Sequence, residues 1–172
     1  MIVREADGAD AAAIARVHVA SWQAHYAGLL SPEFIEQRSY DVRLAQWQAC
    51  LEDRRRITFV AALNGEIAGF ASALLLDRTA EGYDAYLQTL YLMPQTTGRG
   101  VGKELLRALV RKLVELGCTS MALRTLKQNP ARAFYERLGA RIVPEGIRID
   151  EGVFDDVVYV FDDLTLALRA PG

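Results

Sequence analysis

Cysteine is scarce in this chain. Only Cys50 and Cys118 occur, far apart and without the CxxC spacing of a redox pair or a zinc site. That excludes a disulfide-stapled scaffold and fits a reducing, cytoplasmic compartment, with both thiols acting as small buried hydrophobes. Histidine is equally rare, and His18 and His25 have no companion ligands at metal spacing, so no metal is expected. A surplus of positive charge is missing too: 20 Lys and Arg against 22 Asp and Glu leave a formal charge of −2 and a pI near 5.7. A nucleic-acid partner would call for a strongly basic face, so none is expected. Long apolar runs are absent. The longest, Ile67 to Leu76, is too short to span a bilayer as a helix, and Met1 to Glu5 carry no apolar leader core, so neither a membrane nor a secretory route is expected. No repeat, linker or low-complexity segment interrupts the chain. With 172 residues, 51% of them apolar, it can bury one substantial core, and residues 1–172 read as a single domain.

What is present alternates between helical and strand patterns. Met1 to Ala6 reads as a short strand, after which Asp7 or Asp10 caps an alanine-rich helix carrying Ile14, Val17, Trp22 and Tyr26 and ending near Gly28. Ser31-Pro32 opens a second helical stretch, and a further helix carries Val42, Leu44, Trp47 and Leu51. Ile57 to Leu63 and Glu66 to Leu76 are β-rich runs joined by Asn64-Gly65, a pair suited to the positive φ angles of a tight antiparallel hairpin. Another strand, Ala85 to Met93, stops at Pro94 and leads into a glycine loop. From Arg99 to Gly117, Val101, Leu105, Ala108, Leu109, Leu113 and Leu116 recur at helical spacing, with Lys103, Arg107 and Arg111 on another face and Gly117 as the C-terminal cap. A strand over Ser120 to Leu126, a short helix from Pro130 to Leu138, and strands near Arg141 to Ile147 and Val153 to Phe161 follow.

The loop Gln95-Thr96-Thr97-Gly98-Arg99-Gly100-Val101-Gly102-Lys103 joins a strand to a helix. Positions without side chains let backbone N–H groups approach a ligand, and a helix N-terminus adds free donors and partial positive charge, so the loop suits a pyrophosphate. A plain glycine-rich turn is the alternative. The P-loop spacing fails, because Gly98 stands three residues before Gly102 and Glu104 replaces the magnesium-binding hydroxyl. The dinucleotide fingerprint fails as well, since Lys103 sits at its last glycine and Ser120 to Leu126 offers no acid for a ribose.

What remains is Gln/Arg-x-x-Gly-x-Gly/Ala, matched by Gln95, Gly98 and Gly100. Downstream, Asn129-Pro130-Ala131-Arg132-Ala133-Phe134-Tyr135-Glu136-Arg137-Leu138-Gly139-Ala140 looks like an Asn…Ala…Phe-Tyr-Glu-x-Leu-Gly signature. In both elements the chain resembles the GNAT superfamily of N-acetyltransferases, from about Ile57 onward. His18-x-x-Ser21-Trp22-x-x-x-Tyr26-x-Gly28 is similar to an opening seen in many bacterial members. The resemblance implies an α/β fold of the α+β kind, a mixed, strongly bent sheet of about seven strands flanked by helices and splayed between strands 4 and 5. It also implies acetyl-CoA as co-substrate, with Gln95, Gly98, Arg99, Gly100, Val101, Gly102 and Lys103 around the pyrophosphate. Lys103, Arg107 and Arg111, opposed locally by Glu104, read equally as a solvated helix face.

By the same resemblance the pantetheine arm pairs with the backbone of Leu90, Tyr91 and Leu92, and the Leu92 N–H polarises the thioester carbonyl. Tyr135 would then protonate the departing thiolate, or else be an aromatic packed on the sheet. Asn129 either bonds the arm or caps the short helix. Many relatives carry a glutamate at the position that falls on Tyr86, so Tyr86 lies by the acceptor and the base is left to Glu81, Asp84, Asp150, Glu151, Asp155 or Asp156 through water. Each of these also reads as a solvated loop residue. Trp22 and Tyr26 line an acceptor pocket or belong to a core stripe. The implied activity is acetyl transfer to a primary amine, small molecule or peptide, in a ternary complex. The alternatives are an acyl-CoA sensor without turnover and a protein acetyltransferase, and a homodimer is compatible with the reading.

Overall fold

A computed structural model of the chain describes residues 1–26, 39–78, 82–143 and 156–169. The helical stretch expected at Ser31-Pro32, Gly28, Glu81, Asp150, Glu151 and Asp155 lie outside these residues. Seven strands are described: β1 (Ile2–Glu5), β2 (Arg56–Leu63), β3 (Glu66–Leu75), β4 (Ala85–Leu92), β5 (Met121–Leu126), β6 (Arg141–Val143) and β7 (Asp156–Phe161). Five α-helices accompany them: α1 (Ala11–Tyr26), α2 (Tyr40–Glu52), α3 (Val101–Glu115), α4 (Arg132–Arg137) and α5 (Leu164–Arg169). The strands form a mixed sheet in the order β1-β2-β3-β4-β5-β7-β6. The short α5 has no counterpart in the sequence reading, because six residues are too few to show a helical period.

Local chemistry explains the elements. Asn64 and Gly65 adopt φ of 52° and 87°, which turns β2 back into β3. Asp7 accepts from the Ala9 N–H, Asp10 accepts from the Asp7 N–H, and Arg4 grips both oxygens of the buried Asp10 at 2.7 and 2.8 Å. This capping box starts the chain toward α1. The Arg4 hydrogen bonds hold the Asp10 carboxyl below its ordinary pKa although burial opposes them. α3 buries Val101, Leu105, Leu106, Leu109, Val110 and Leu113. It ends where Gly117, at φ 87°, donates to Val114 O and Cys118 donates to Leu113 O, the paired bonds of a Schellman motif. Cys118 is buried as expected, whereas Cys50 is only half-buried.

By its contacts the chain divides into two compact units, Met1–Ser72 with Thr89–Leu109, and Ala73–Gln88 with Val110–Gly172. The core of the first gathers Ala11, Ile14, Ala15 and Val17 of α1 with Trp47, Val60 and Phe70. His18, Phe70 and Tyr91 form an aromatic cluster with Trp47 there. In the second, Ala122, Val143 and Val160 pack with Tyr83, Tyr86 and Val158.

Two features of β4 bear on function. The Met93 N–H donates to Ala68 O, and the Leu76 N–H donates to Asp84 O. Between these bonds the eight steps from Ala68 to Leu76 are matched by nine from Asp84 to Met93, so the segment holding β4 carries one residue more than the stretch it faces, the count of a β-bulge. On its other side the parallel ladder with β5 covers Ala85↔Met121, Tyr86↔Ala122 and Leu87↔Leu123 and stops, although β4 continues to Leu92 and β5 to Leu126. The expected splay between the fourth and fifth strands corresponds to the end of this ladder.

Candidate functional site

In the first unit the end of β4 is built with little freedom. A Cβ on Gly69 would overlap Leu92 Cδ2 and stand 3.1 Å from Tyr91 O and 3.2 Å from Leu105 Cδ1, so only glycine lets Leu92 settle against β3 and α3. The Leu92 side chain therefore has a packing role that the sequence reading did not give it. A glycine inside a strand pattern was the available signal. Tyr91 turns its ring into the aromatic cluster, stacked on His18 at 4.8 Å between centroids and tilted against Phe70. Trp47 Nε1 donates to His18 Nδ1 at 3.0 Å, so the neutral ring carries its proton on Nε2. Burial, reinforced by the Arg43 charge, pushes the His18 pKa down to about 3.

Past Met93, Pro94–Thr96 make a 3-10 turn pinned by the buried Thr96, whose hydroxyl donates to Met93 O at 2.7 Å and to Ala68 O at 3.3 Å. Nothing in the sequence singles out Thr96, because its partner on β3 is remote. Gly98 and Gly100 then adopt φ of 78° and 80°, flanking an exposed Arg99, and a Cβ on either would meet nothing within 4 Å. Gly100 O accepts the first bond of α3 from the Glu104 N–H, which leaves the N–H groups of Val101, Gly102 and Lys103 without helical carbonyls. No capping side chain can stand at Gly100. Open space, left-handed backbone and three bare donors fit a pyrophosphate, as do the nearby cations of Arg99 and Lys103. Arg107 is turned to Glu104 at 3.5 Å, and Arg111 is exposed further along α3. Gln95 is exposed at the loop's entry.

In the second unit Asn129 follows β5 and leads toward α4. Its Nδ2 donates to Thr125 Oγ1 at 2.8 Å and its Oδ1 accepts from the Ala131 N–H at 2.9 Å, so its side chain is engaged in ordering the approach to the helix. Tyr135 on α4 is 8% exposed, with its ring against Phe134 and tilted toward Tyr159. A network that the sequence did not reveal fastens that helix: Tyr159 OH donates to Glu136 Oε1 and accepts from Arg132 Nε, while Arg132 Nη1 donates to Lys127 O. Burial, and then the bond to Glu136, raise the Tyr159 pKa.

Tyr86 packs in the apolar cluster with Ala122 and Val160. Asp84 is tied to the start of β5 by its carboxylate. Its Oδ2 accepts from the N–H and hydroxyl of both Thr119 and Ser120, at 2.7 to 3.0 Å. Burial raises its pKa, but those hydrogen bonds outweigh the effect and hold it below the ordinary carboxylate value. Asp156 lies on β7 near Arg124. Trp22 is half-buried on α1, and the Tyr26 side chain lies outside what is described. Among the described residues no group of His, Cys, Asp and Glu is arranged to hold a metal, and no helix is long and apolar enough to cross a membrane.

The sequence model of the acetyltransferase (GNAT) family matches residues 16–140. An uncharacterised N-acetyltransferase of Bacillus subtilis, YuaI, is 29% identical over 155 residues, covering 87% of this chain and 88% of that protein. The aminoglycoside N(6')-acetyltransferase type 1 of Salmonella typhimurium is 30% identical over 93 residues, 52% of this chain and 64% of that enzyme. Among solved structures, the PaiA N-acetyltransferase of Thermoplasma acidophilum, crystallised with coenzyme A, superposes with a TM-score of 0.74 at 22% identity, covering 92% of this chain and 96% of that one.

Proposed function

The chain belongs to the acetyltransferase (GNAT) family and is an acetyl-CoA-dependent N-acetyltransferase, and from that premise we propose that it acetylates a primary amine by direct transfer in a ternary complex. The observation that carries this reading is the opening of α3. Gly98 and Gly100 leave open space beside left-handed backbone, and the bare N–H groups of Val101 to Lys103 follow directly. The coenzyme pyrophosphate would bind there, with Gln95, Arg99 and Lys103 around it. Leu90 to Leu92 lie beyond the end of the β5 ladder, where an extended pantetheine arm can hydrogen-bond backbone.

The remaining steps follow from placing a thioester at that strand. The Leu92 N–H donates to the carbonyl oxygen as it gains charge, which favours attack by the neutral amine. A C–N bond forms, the C–S bond breaks, and Tyr135 gives its proton to the departing sulfur. The ammonium proton leaves through water, since position 86 carries a tyrosine in place of a carboxylate and Asp84 Oδ2 already accepts four hydrogen bonds. The acceptor would lie near Tyr86, with Trp22 and Tyr26 as further candidates. Asn129 would act on the arm only indirectly, by ordering the segment before α4. A small amine or a peptide amine both fit this scheme, as does a reducing, cytoplasmic setting.

Acetyl-CoA turnover across a panel of amines and peptides, read as free thiol, tests the proposal. Thiol release that depends on the amine supports it. A second reading, an acyl-CoA sensor without turnover, is favoured by the tyrosine at position 86 and the four hydrogen bonds already accepted by Asp84 Oδ2. Tight coenzyme binding with no release from any acceptor would establish that reading instead.

A further inference from the structure

Helix α4 has six residues, with Ala131 at its N-cap and no capping bond from that residue's side chain. A helix so short does not hold itself in water, so its direction is set by what it is tied to. One such tie is Tyr159. This residue is 0% exposed and lies on β7, where it pairs with Leu123 of β5 on one side and Ile142 of β6 on the other. Its hydroxyl donates to Glu136 Oε1 and accepts from Arg132 Nε at 2.9 Å. Arg132 and Glu136 stand four positions apart and share a face of α4, so two bonds one turn apart fix the rotation of the helix about its axis. Tyr135 directly precedes Glu136, and its ring tilts toward the Tyr159 ring at 6.4 Å between centroids. Glu136 is exposed and Arg132 half-buried, so water can satisfy both charges without help from β7. A phenylalanine at 159 would fill the same buried space with no hydroxyl to satisfy. What the tyrosine adds is direction.

We propose that Tyr159 is a positioning residue for the transfer step, its hydroxyl holding α4 at the rotation that aims Tyr135. This rests on the reading of Tyr135 as the acid for the departing thiolate. Proton transfer in the transition state needs the phenol within hydrogen-bond reach of the sulfur. A displacement of about 1 Å at a reacting group can cost roughly 100-fold in rate. Tyr159 acts through Tyr135 and exchanges no proton with the substrates itself.

The test is a double-mutant cycle on the full chain: Tyr159→Phe, Tyr135→Phe and the two combined. Thiol release from acetyl-CoA is followed with L-lysine, L-lysinamide and spermidine as acceptors, both substrates being varied, and calorimetry reports coenzyme affinity. Tyr159→Phe should lower kcat by roughly 5- to 50-fold while KM for acetyl-CoA stays within about twofold. In the Tyr135→Phe background the same change should cost less than about twofold, because no acid is left to aim. Glu136→Gln keeps an oxygen for the Tyr159 hydroxyl and should retain most of kcat, whereas Glu136→Ala should lose as much as Tyr159→Phe. Wild-type kcat in Tyr159→Phe overturns the positioning role. So does an equal loss in both backgrounds, the mark of a merely structural residue. Should Tyr159→Phe fail to fold, Glu136→Ala takes its place in the cycle, since that side chain is exposed, and the same outcomes decide. Full kcat in Tyr135→Phe removes the acid and overturns both readings of α4, while a loss there with no coupling to position 159 overturns the positioning alone. Coenzyme binding with no transfer to any of the three amines overturns the inference together with the transferase reading.

Discussion

At the scale of single residues, the sharpest expectation concerns Tyr135. Tyr135→Phe keeps a ring that is 8% exposed and its contacts with Phe134 and Tyr159, and removes only the hydroxyl. Turnover should fall by about 10- to 1,000-fold in kcat, the span of general-acid contributions, with KM for acetyl-CoA nearly unchanged. Steady-state kinetics with both substrates varied checks it. Wild-type kcat with chemistry rate-limiting would reduce Tyr135 to packing. His18 offers a second expectation, on stability. Its pKa stands near 3 in the fold and at 6.5 when free, so between those values the unfolded chain binds a proton that the folded chain refuses. Stability is therefore lost as pH falls below 6.5, at up to about 1.4 kcal/mol per pH unit. Urea melts above the carboxylate range should show that slope, and His18→Gln, whose amide oxygen can still accept from Trp47, should flatten it. Tyr135 and the glycines were legible because each sits in a short motif. Asp84 was not, since its partners Thr119 and Ser120 lie 35 and 36 positions away.

Among the elements, the loop between β4 and α3 makes the most direct prediction. Gly100→Val puts a branched side chain at φ 80°, where it is strained, and into space that the fold leaves open. The variant should remain folded by circular dichroism yet lose coenzyme affinity by at least roughly 100-fold, three backbone donors being obstructed together. Unchanged affinity in calorimetry would move the phosphates elsewhere. The hairpin at Asn64-Gly65 and the periodic stripe of α3 were readable because their signals are local: a positive φ demands particular residues, and a buried helix face repeats along the sequence. The fastening of α4 was not, for Tyr159 meets Glu136 and Arg132 only once β7 has been laid beside β5. Likewise Gly69 is required by a neighbour on the next strand, not by its own backbone.

For the whole molecule, the consequence of a coenzyme site is thermodynamic. A ligand held by the native state alone raises stability by mass action, about 2.7 kcal/mol at a hundred times its Kd. Acetyl-CoA should accordingly raise the melting temperature, and NADH and ATP should do far less. The absence of a shift at saturating acetyl-CoA would count against the site. The seven-strand order could be anticipated only through resemblance, because pairing between distant strands leaves no mark in either strand alone. The extra residue in β4 makes the gene unusually sensitive there. Removing the codon for Thr89 would even the count with β3 and reverse the alternation of every side chain on one side of the cut. If the Ala85–Leu87 ladder held, Tyr91 would be carried away from His18 and Phe70, and Leu92 away from the hollow over Gly69. An in-frame loss of three nucleotides, often harmless in a surface loop, should in this strand lower the yield of folded protein, and a deletion scan scored for folded protein would register it as a minimum across β4.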